Sequence, residues 1–158
     1  MIPRYTLPEM QKIWSDLNRY EKWLEVELAI VDALCERGIV PKDARDRIKK
    51  AARFEVAEIE ERENVTQHDV LAFVECVCER LGQDSKYFHM GVTSSDILDT
   101  ALALIVREAT SVILRALQEL KTTLANLALA NRDVLTIGRT HGMHAEPTSL
   151  GLKFAVWY

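Results

Sequence analysis

The sequence predicts an all-α fold, a small helical N-terminal domain followed by the start of a long-helix bundle. Three observations carry this. Apolar residues recur every three to four positions through most of the chain, the period of a helix face. Gly38, Pro41 and Gly82 separate these runs where helices would stop and restart. Neither glycine nor proline occurs between Gly91 and Gly138, a window in which Leu98, Leu102, Ile105, Val112, Ile113, Leu117, Leu120, Leu124 and Leu127 keep the helical spacing.

Ser15 has the chemistry of an N-cap for a helix to about Arg37, with Trp23, Val26, Ile30 and Leu34 on one face and Gly38 as the stop. Pro41 suits the first turn of a second helix to about Arg53. The run from Glu55 to Glu63 reads as a short third helix whose charges form a solvated face. Thr66 precedes a fourth, with Val70, Phe73, Val74, Val77 and Leu81 inward and Gly82 closing it. Thr93 or Ser94 then caps a single long helix from about Ser95 to about Asn131, and Asp96 lies in its first turn, where a negative charge meets the helix dipole favourably. Such a helix is on the order of 55 Å long at 1.5 Å per residue. A compact domain of 100 residues has a radius of gyration of about 13 Å, so the helix needs partners from further sequence or from other subunits. The apolar run from Leu150 to Tyr158 stops without cap or polar tail, as expected of a longer polypeptide cut inside a helix.

A chain of 158 residues fits a one-domain prior and can bury roughly 70% of its unfolded surface. A formal charge of -4, with no basic stripe interleaved with aromatics, argues against a nucleic-acid partner. Met1-Ile2-Pro3-Arg4 begins no signal-type apolar run, and no stretch approaches 18 uncharged apolar residues, so the expectation is a cytoplasmic protein without a membrane partner. Cys35, Cys76 and Cys78 are odd in number and lack a disulfide-framework spacing, which fits a reducing compartment. On a helix Cys76 and Cys78 project about 200° apart, which suits buried structural thiols better than a shared metal. Asn64-Val65-Thr66 matches a glycosylation acceptor by chance in such a protein.

Four segments hold nearly all the candidate polar groups: Arg4-Tyr5, Thr66-Gln67-His68-Asp69, His89 to Asp96, and Gly138 to Pro147. All four histidines lie in these segments and none in a predicted helix interior. Histidine, with an unperturbed pKa of about 6.5, is the side chain best suited to proton transfer near neutral pH. A single histidine more often caps or packs than catalyses, and Thr93-Ser94-Ser95-Asp96 is by itself a good helix start. The same helix start offers free N–H groups and hydroxyls to a carboxylate or phosphate. Gly142 and Pro147 keep the last segment from being an ordinary helix, and an irregular segment crowded with Arg139, Thr140, His141 and His144 is a candidate site. His141 and His144 are not spaced i, i+4 on a helix and have no third ligand at a recognisable spacing, so no metal is expected.

Thr140-His141-Gly142-Met143-His144-Ala145-Glu146-Pro147 resembles the second motif of the adenylosuccinate lyase family, within the fumarase/aspartase superfamily. Fumarase and argininosuccinate lyase typically carry Leu-Gln where this chain has Gly142-Met143, and they lack a histidine at position 144. The resemblance runs along the chain through Arg4-Tyr5, Pro8-Glu9-Met10, Trp14, Trp23-Leu24-Glu25-Val26-Glu27, His68-Asp69-Val70 and Gly91 to Asp96. It implies an N-terminal domain at residues 1–92, the beginning of a central bundle of the fumarase/aspartase type at 93–158, and a homotetramer whose active sites are each built from three subunits. The implied reaction is a β-elimination releasing fumarate from adenylosuccinate and from succinylaminoimidazole carboxamide ribotide, in purine biosynthesis, with no cofactor.

By that resemblance His141 is the general acid that protonates the leaving nitrogen, and His68 orients it or tunes its charge. Thr93, Ser94 and Thr140 hold the succinyl carboxylates, and Asp69 contacts the nucleotide or supports His68. Arg4, Tyr5 and His89 bind the phosphate end, and His144 contacts a substrate carboxylate directly or through a neighbour. The family's Ser-Ser-x-Met-Pro loop, which supplies the base, has no counterpart in these residues, so the 158 residues alone are expected to be inactive and to self-associate. Two alternatives stand beside this: another fumarate-releasing lyase of the superfamily, and a non-catalytic helical oligomerisation module.

Overall fold

Pro8, with its fixed φ, opens a short helix, α1 (Pro8–Ile13), after one 3-10 turn at Pro3–Tyr5. The computed structural model describes residues 2–158. The Ser15 hydroxyl accepts the Asn18 N–H at 3.2 Å and starts α2 (Asp16–Glu36). Gly38, at φ 74°, takes the left-handed conformation that ends it. α3 (Lys42–Ala51) follows Pro41, and α4 (Val56–Thr66) and α5 (Asp69–Cys78) are separated by two residues. A 3-10 stretch at Gly82–Tyr87 leads to α6 (Ser94–Ala130), which has 37 residues and starts and stops within one residue of the sequence expectation.

The boundaries around α4 and α5 differ from the expectation. Thr66 is the last residue of α4, and the helix it was expected to precede begins at Asp69 with His68 as its N-cap. The cause is Gln67, whose left-handed φ of 51° ends α4 and whose N–H closes on the Glu63 carbonyl at 2.8 Å. α5 also stops at Cys78, short of Gly82, and Gly82 opens the 3-10 stretch.

The described chain divides into two compact units, one reaching to Ala109 and the other Thr110–Tyr158, with α6 contributing to both. The first unit packs around Phe73 of α5. Its ring stacks on Tyr20 at 6.1 Å and meets Trp23 and Phe54 edge-on at 5.5 and 6.0 Å. Phe88 adds a tilted contact at 6.4 Å. α2 turns Tyr20, Trp23, Val26, Glu27 and Val31 into this core and α6 adds Ile97 and Ala101, while Ile105 and Ala109, further along α6 at the same four-residue spacing, are also buried. Lys22 of α2 bridges to Glu108 of α6 at 2.6 Å, and Arg47 of α3 grips Asp84 through two bonds of 2.7 and 2.9 Å.

In the second unit the fold departs from a purely helical plan. Leu135–Thr140 (β1) and Met143–Ser149 (β2) form an antiparallel pair, followed by α7 (Leu150–Trp157). The segment expected to be irregular is therefore a β-hairpin. Pro147, which reads as a breaker, lies on a strand of a two-stranded sheet, next to a register shift between Ile137 and Arg139, where its missing N–H is tolerated. α7 is fastened to the end of α6 by the Gly151 N–H on the Asn131 carbonyl at 2.9 Å. A Cβ at Gly151 would lie 2.7 Å from Arg132 Cα and overlap the Ala128 carbonyl, so the close approach requires glycine. Among the described residues no helix is long and apolar enough to cross a membrane.

Because Phe73 is fully buried among four other rings, Phe73→Ala is expected to cost about 3–5 kcal/mol of stability, measured by urea unfolding. A Phe73→Leu variant should lose less.

Candidate active site

In the first unit, His68, His89 and Ser94 line one small cavity with Val70, Leu71 and Val74. Two of the three sit at helix starts: His68 caps α5 and Ser94 is the first residue of α6. The positive ends of two helix dipoles therefore lie beside the histidines, a setting that favours an anion. The cavity volume is about 180 Å³, smaller than the roughly 300 Å³ and upward typical of sites for drug-sized ligands.

His68 is aimed by its backbone. The Gln67 turn brings it to the N-cap, where Nδ1 accepts the Leu71 N–H at 3.3 Å. An acceptor at Nδ1 leaves the ring proton on Nε2, so His68 offers a donor. Asp69 lies alongside, with Oδ1 3.6 Å from His68 Nδ1 and accepting the Val70 N–H at 2.7 Å. Asp69 also lines a second, larger cavity of about 390 Å³ with Trp14, Arg19, Trp23, Leu98 and Asp99.

His89 follows the buried Phe88 and sits at φ 56°, a left-handed conformation that a non-glycine residue adopts at a cost. Gly91, at φ 76°, continues the loop to α6. Thr93 is where that helix opens: its N–H donates to the Asp96 carboxylate at 2.8 Å, and its carbonyl accepts the Asp96 N–H at 3.0 Å.

The sequence reading missed Glu27. It is 0% exposed, and it meets His89 twice, through Nδ1 at 2.5 Å and through the backbone N–H at 3.2 Å. Burial pushes its carboxyl above the usual range, opposed by the His89 hydrogen bonds. The signal was present: Glu27 falls four residues after Trp23 and four before Val31, on the apolar stripe of α2.

The remaining candidates lie elsewhere. Arg4 covers the Tyr5 ring at 4.8 Å, and Tyr5 is exposed. Thr140, His141 and His144 belong to the second unit. There His141 and Gly142 are the two central residues of the hairpin turn, at φ 49° and 74°, and Thr140 pairs with Met143 across it. Two consecutive positive φ values identify a type I′ turn, which presents the His141 side chain to solvent at the tip of a hydrogen-bonded pair. His144 stands opposite Arg139, on the sheet face away from Thr140. Of the nominated residues, three converge on one cavity, Asp69 lines its neighbour, Thr93 opens the same helix, and the hairpin group forms a separate cluster.

A lyase family model matches residues 4–158. The chain is 46% identical to an adenylosuccinate lyase of Aquifex aeolicus and 42% identical to one of Bacillus subtilis, in each case over 100% of this chain and 37% of the relative. It thus spans little more than a third of the length of these curated relatives. Among solved structures it is similar to a fumarate lyase of Mesorhizobium, with a TM-score of 0.89 and 33% identity over 94% of this chain and 36% of that one. A 3-carboxy-cis,cis-muconate lactonizing enzyme of Pseudomonas putida gives 0.88 and 31% over 96% and 36%.

Nothing lies within 4 Å of a Cβ placed on Gly142, so a substitution there acts through the backbone alone. Gly142→Val is expected to destabilise the hairpin by about 1–3 kcal/mol, seen as a lower Tm. Gly142→Asn should fall clearly less, since asparagine tolerates the left-handed region.

Proposed function

The chain belongs to the lyase family, and from that premise we propose that the protein containing it releases fumarate from adenylosuccinate, giving AMP, and from succinylaminoimidazole carboxamide ribotide. This is a step of purine biosynthesis, and the expected location is the cytoplasm. The reading is supported by the names of the most similar curated relatives and, in this chain, by one observation above the rest: His68, His89 and Ser94 share a cavity at two helix starts.

The elimination needs a base beside a carboxylate, an acid for the departing nitrogen and donors for the charge that develops between them. In the proposal His141 gives its proton to the leaving nitrogen. His68, with a donor at Nε2, orients or tunes that group. Thr93, Ser94 and Thr140 hold the succinyl carboxylates, and Asp69 contacts the nucleotide or steadies His68. Arg4, Tyr5 and His89 take the phosphate, arginine through its planar fork, and His144 contacts a substrate carboxylate.

The N-terminal domain of the proposal ends near residue 92. Ile113, Leu114, Leu117 and Leu120 of α6 are 50 to 60% exposed, which supports a homotetramer whose helices cover one another and whose active sites draw on several subunits.

In the full-length protein His141→Ala is expected to lower turnover by about 10² to 10⁴, the contribution of a positioned acid. Ultraviolet absorbance on mixing with adenylosuccinate, together with a fumarate assay, reads this directly. Turnover within about threefold of wild type would remove His141 from the acid role.

A further inference from the structure

We infer that Glu27 is a positioning residue for His89: from the core of the first unit it holds both the ring and the backbone of His89, so that Nε2 is the ring atom offered to the cavity shared with His68 and Ser94. The observations are geometric. Glu27 is the one buried charged residue among the described residues, and its carboxylate reaches from α2 across to the loop before α6. One oxygen meets His89 Nδ1 at 2.5 Å and the other accepts the backbone N–H at 3.2 Å. A buried carboxylate without partners is costly, and both of its oxygens are committed to this one residue. The same two bonds stabilise the φ of 56° that His89 would otherwise leave. The His89 side chain is 23% exposed, enough for its far edge to reach the cavity.

Space filling does not account for this. An apolar residue at position 27 would continue the stripe of Tyr20, Trp23 and Val31, with no desolvation cost. With Nδ1 engaged by Glu27, His89 presents Nε2, and with Nδ1 engaged by the Leu71 N–H, His68 presents Nε2 as well. The two rings thus show the same atom to one cavity through different anchors. Besides His68 in the same cavity, Cys78 of α5 lies near enough to feel the Glu27 charge; burial, with the Glu27 and Glu75 charges adding, pushes its thiol up to about 11, so it stays neutral near pH 7.

This assignment rests on the proposed reaction for its consequence, and on the fold alone for the grip itself. The test uses the full-length protein with Glu27→Gln, Glu27→Leu, His89→Ala and the Glu27→Leu/His89→Ala double variant. Leu fills the space without an acceptor; Gln keeps one acceptor for Nδ1–H and turns its NH2 toward the backbone N–H, so only one of the two bonds survives. Glu27→Leu is expected to raise KM by about tenfold or more while kcat changes less, and Glu27→Gln, which keeps one of the two bonds, to fall between Glu27→Leu and wild type. The double variant should be no worse than His89→Ala, because the two residues act as one unit. Independently of activity, iodoacetamide should alkylate His89 only at Nε2 in the wild type and at both ring nitrogens in Glu27→Leu, read by mass spectrometry and amino-acid analysis. Glu27→Met, more pliable, replaces the Leu variant if that one does not fold. Multiplying effects in the double variant, or an unchanged alkylation pattern, would overturn the positioning role. If the wild type releases no fumarate while the alkylation pattern changes as described, the proposed reaction falls and the hold of Glu27 on His89 stands.

Discussion

The packing of Phe73 is the constraint on which the first unit depends. Its ring meets Tyr20 and Trp23 of α2, Phe54 before α4 and Phe88 before the α6 loop. Those contacts fix two things at once. They set the position of α5, whose N-cap is His68, and they pin Phe88, whose next residue is His89. Histidines 21 residues apart in sequence therefore face one cavity because the same aromatic cluster anchors the segments that carry them. Dense interiors transmit such positions with little slack, so the polar groups inherit the rigidity of the rings.

Much of the helical frame was legible because its signals are local. Ser15, Gly38 and the window free of glycine and proline gave the ends of α2 and α6 to within a residue. What was not legible turns on left-handed residues that are not glycine. Gln67 ends α4 and passes the cap from Thr66 to His68, and His141 joins Gly142 in a type I′ turn. Nothing in the side chain of Gln67 announces a positive φ; the surrounding helices impose it. The hairpin was hidden by a different rule. Gly142 and Pro147 read as breakers of a helix, and the alternative that they punctuate a strand pair depends on a register shift that spacing does not reveal.

Glu27 shows the limit of reading charge as surface. A carboxylate within an apolar stripe is either an interruption of the stripe or a buried group with partners, and composition does not choose between them. The choice was made 62 residues later, by a histidine whose backbone N–H and ring nitrogen both needed an acceptor. Among the candidate groups, Thr93 with Asp96 lies at a helix start that the sequence marks, whereas His68, though its partner Leu71 is three residues away, takes the cap only because Gln67 adopts a left-handed conformation, and the partner of His89 is remote.

The long helix carries the same lesson at larger scale. Up to Ala109 its four-residue stripe of Ile97, Ala101, Ile105 and Ala109 is buried by the helices of its own unit. Beyond that point Ile113, Leu117 and Leu120 keep the helical period and remain half exposed. The periodicity is continuous across the change, since a helix face is written identically whether its cover comes from the same chain or from another. Covered and uncovered stretches therefore cannot be told apart by pattern. They are separated by counting the elements available to cover them, and after Thr110 the described chain offers a hairpin and one eight-residue helix. The half-exposed Ile113, Leu117 and Leu120 leave an apolar stripe of helical period in the second unit, the pattern that an apolar helical face would complement.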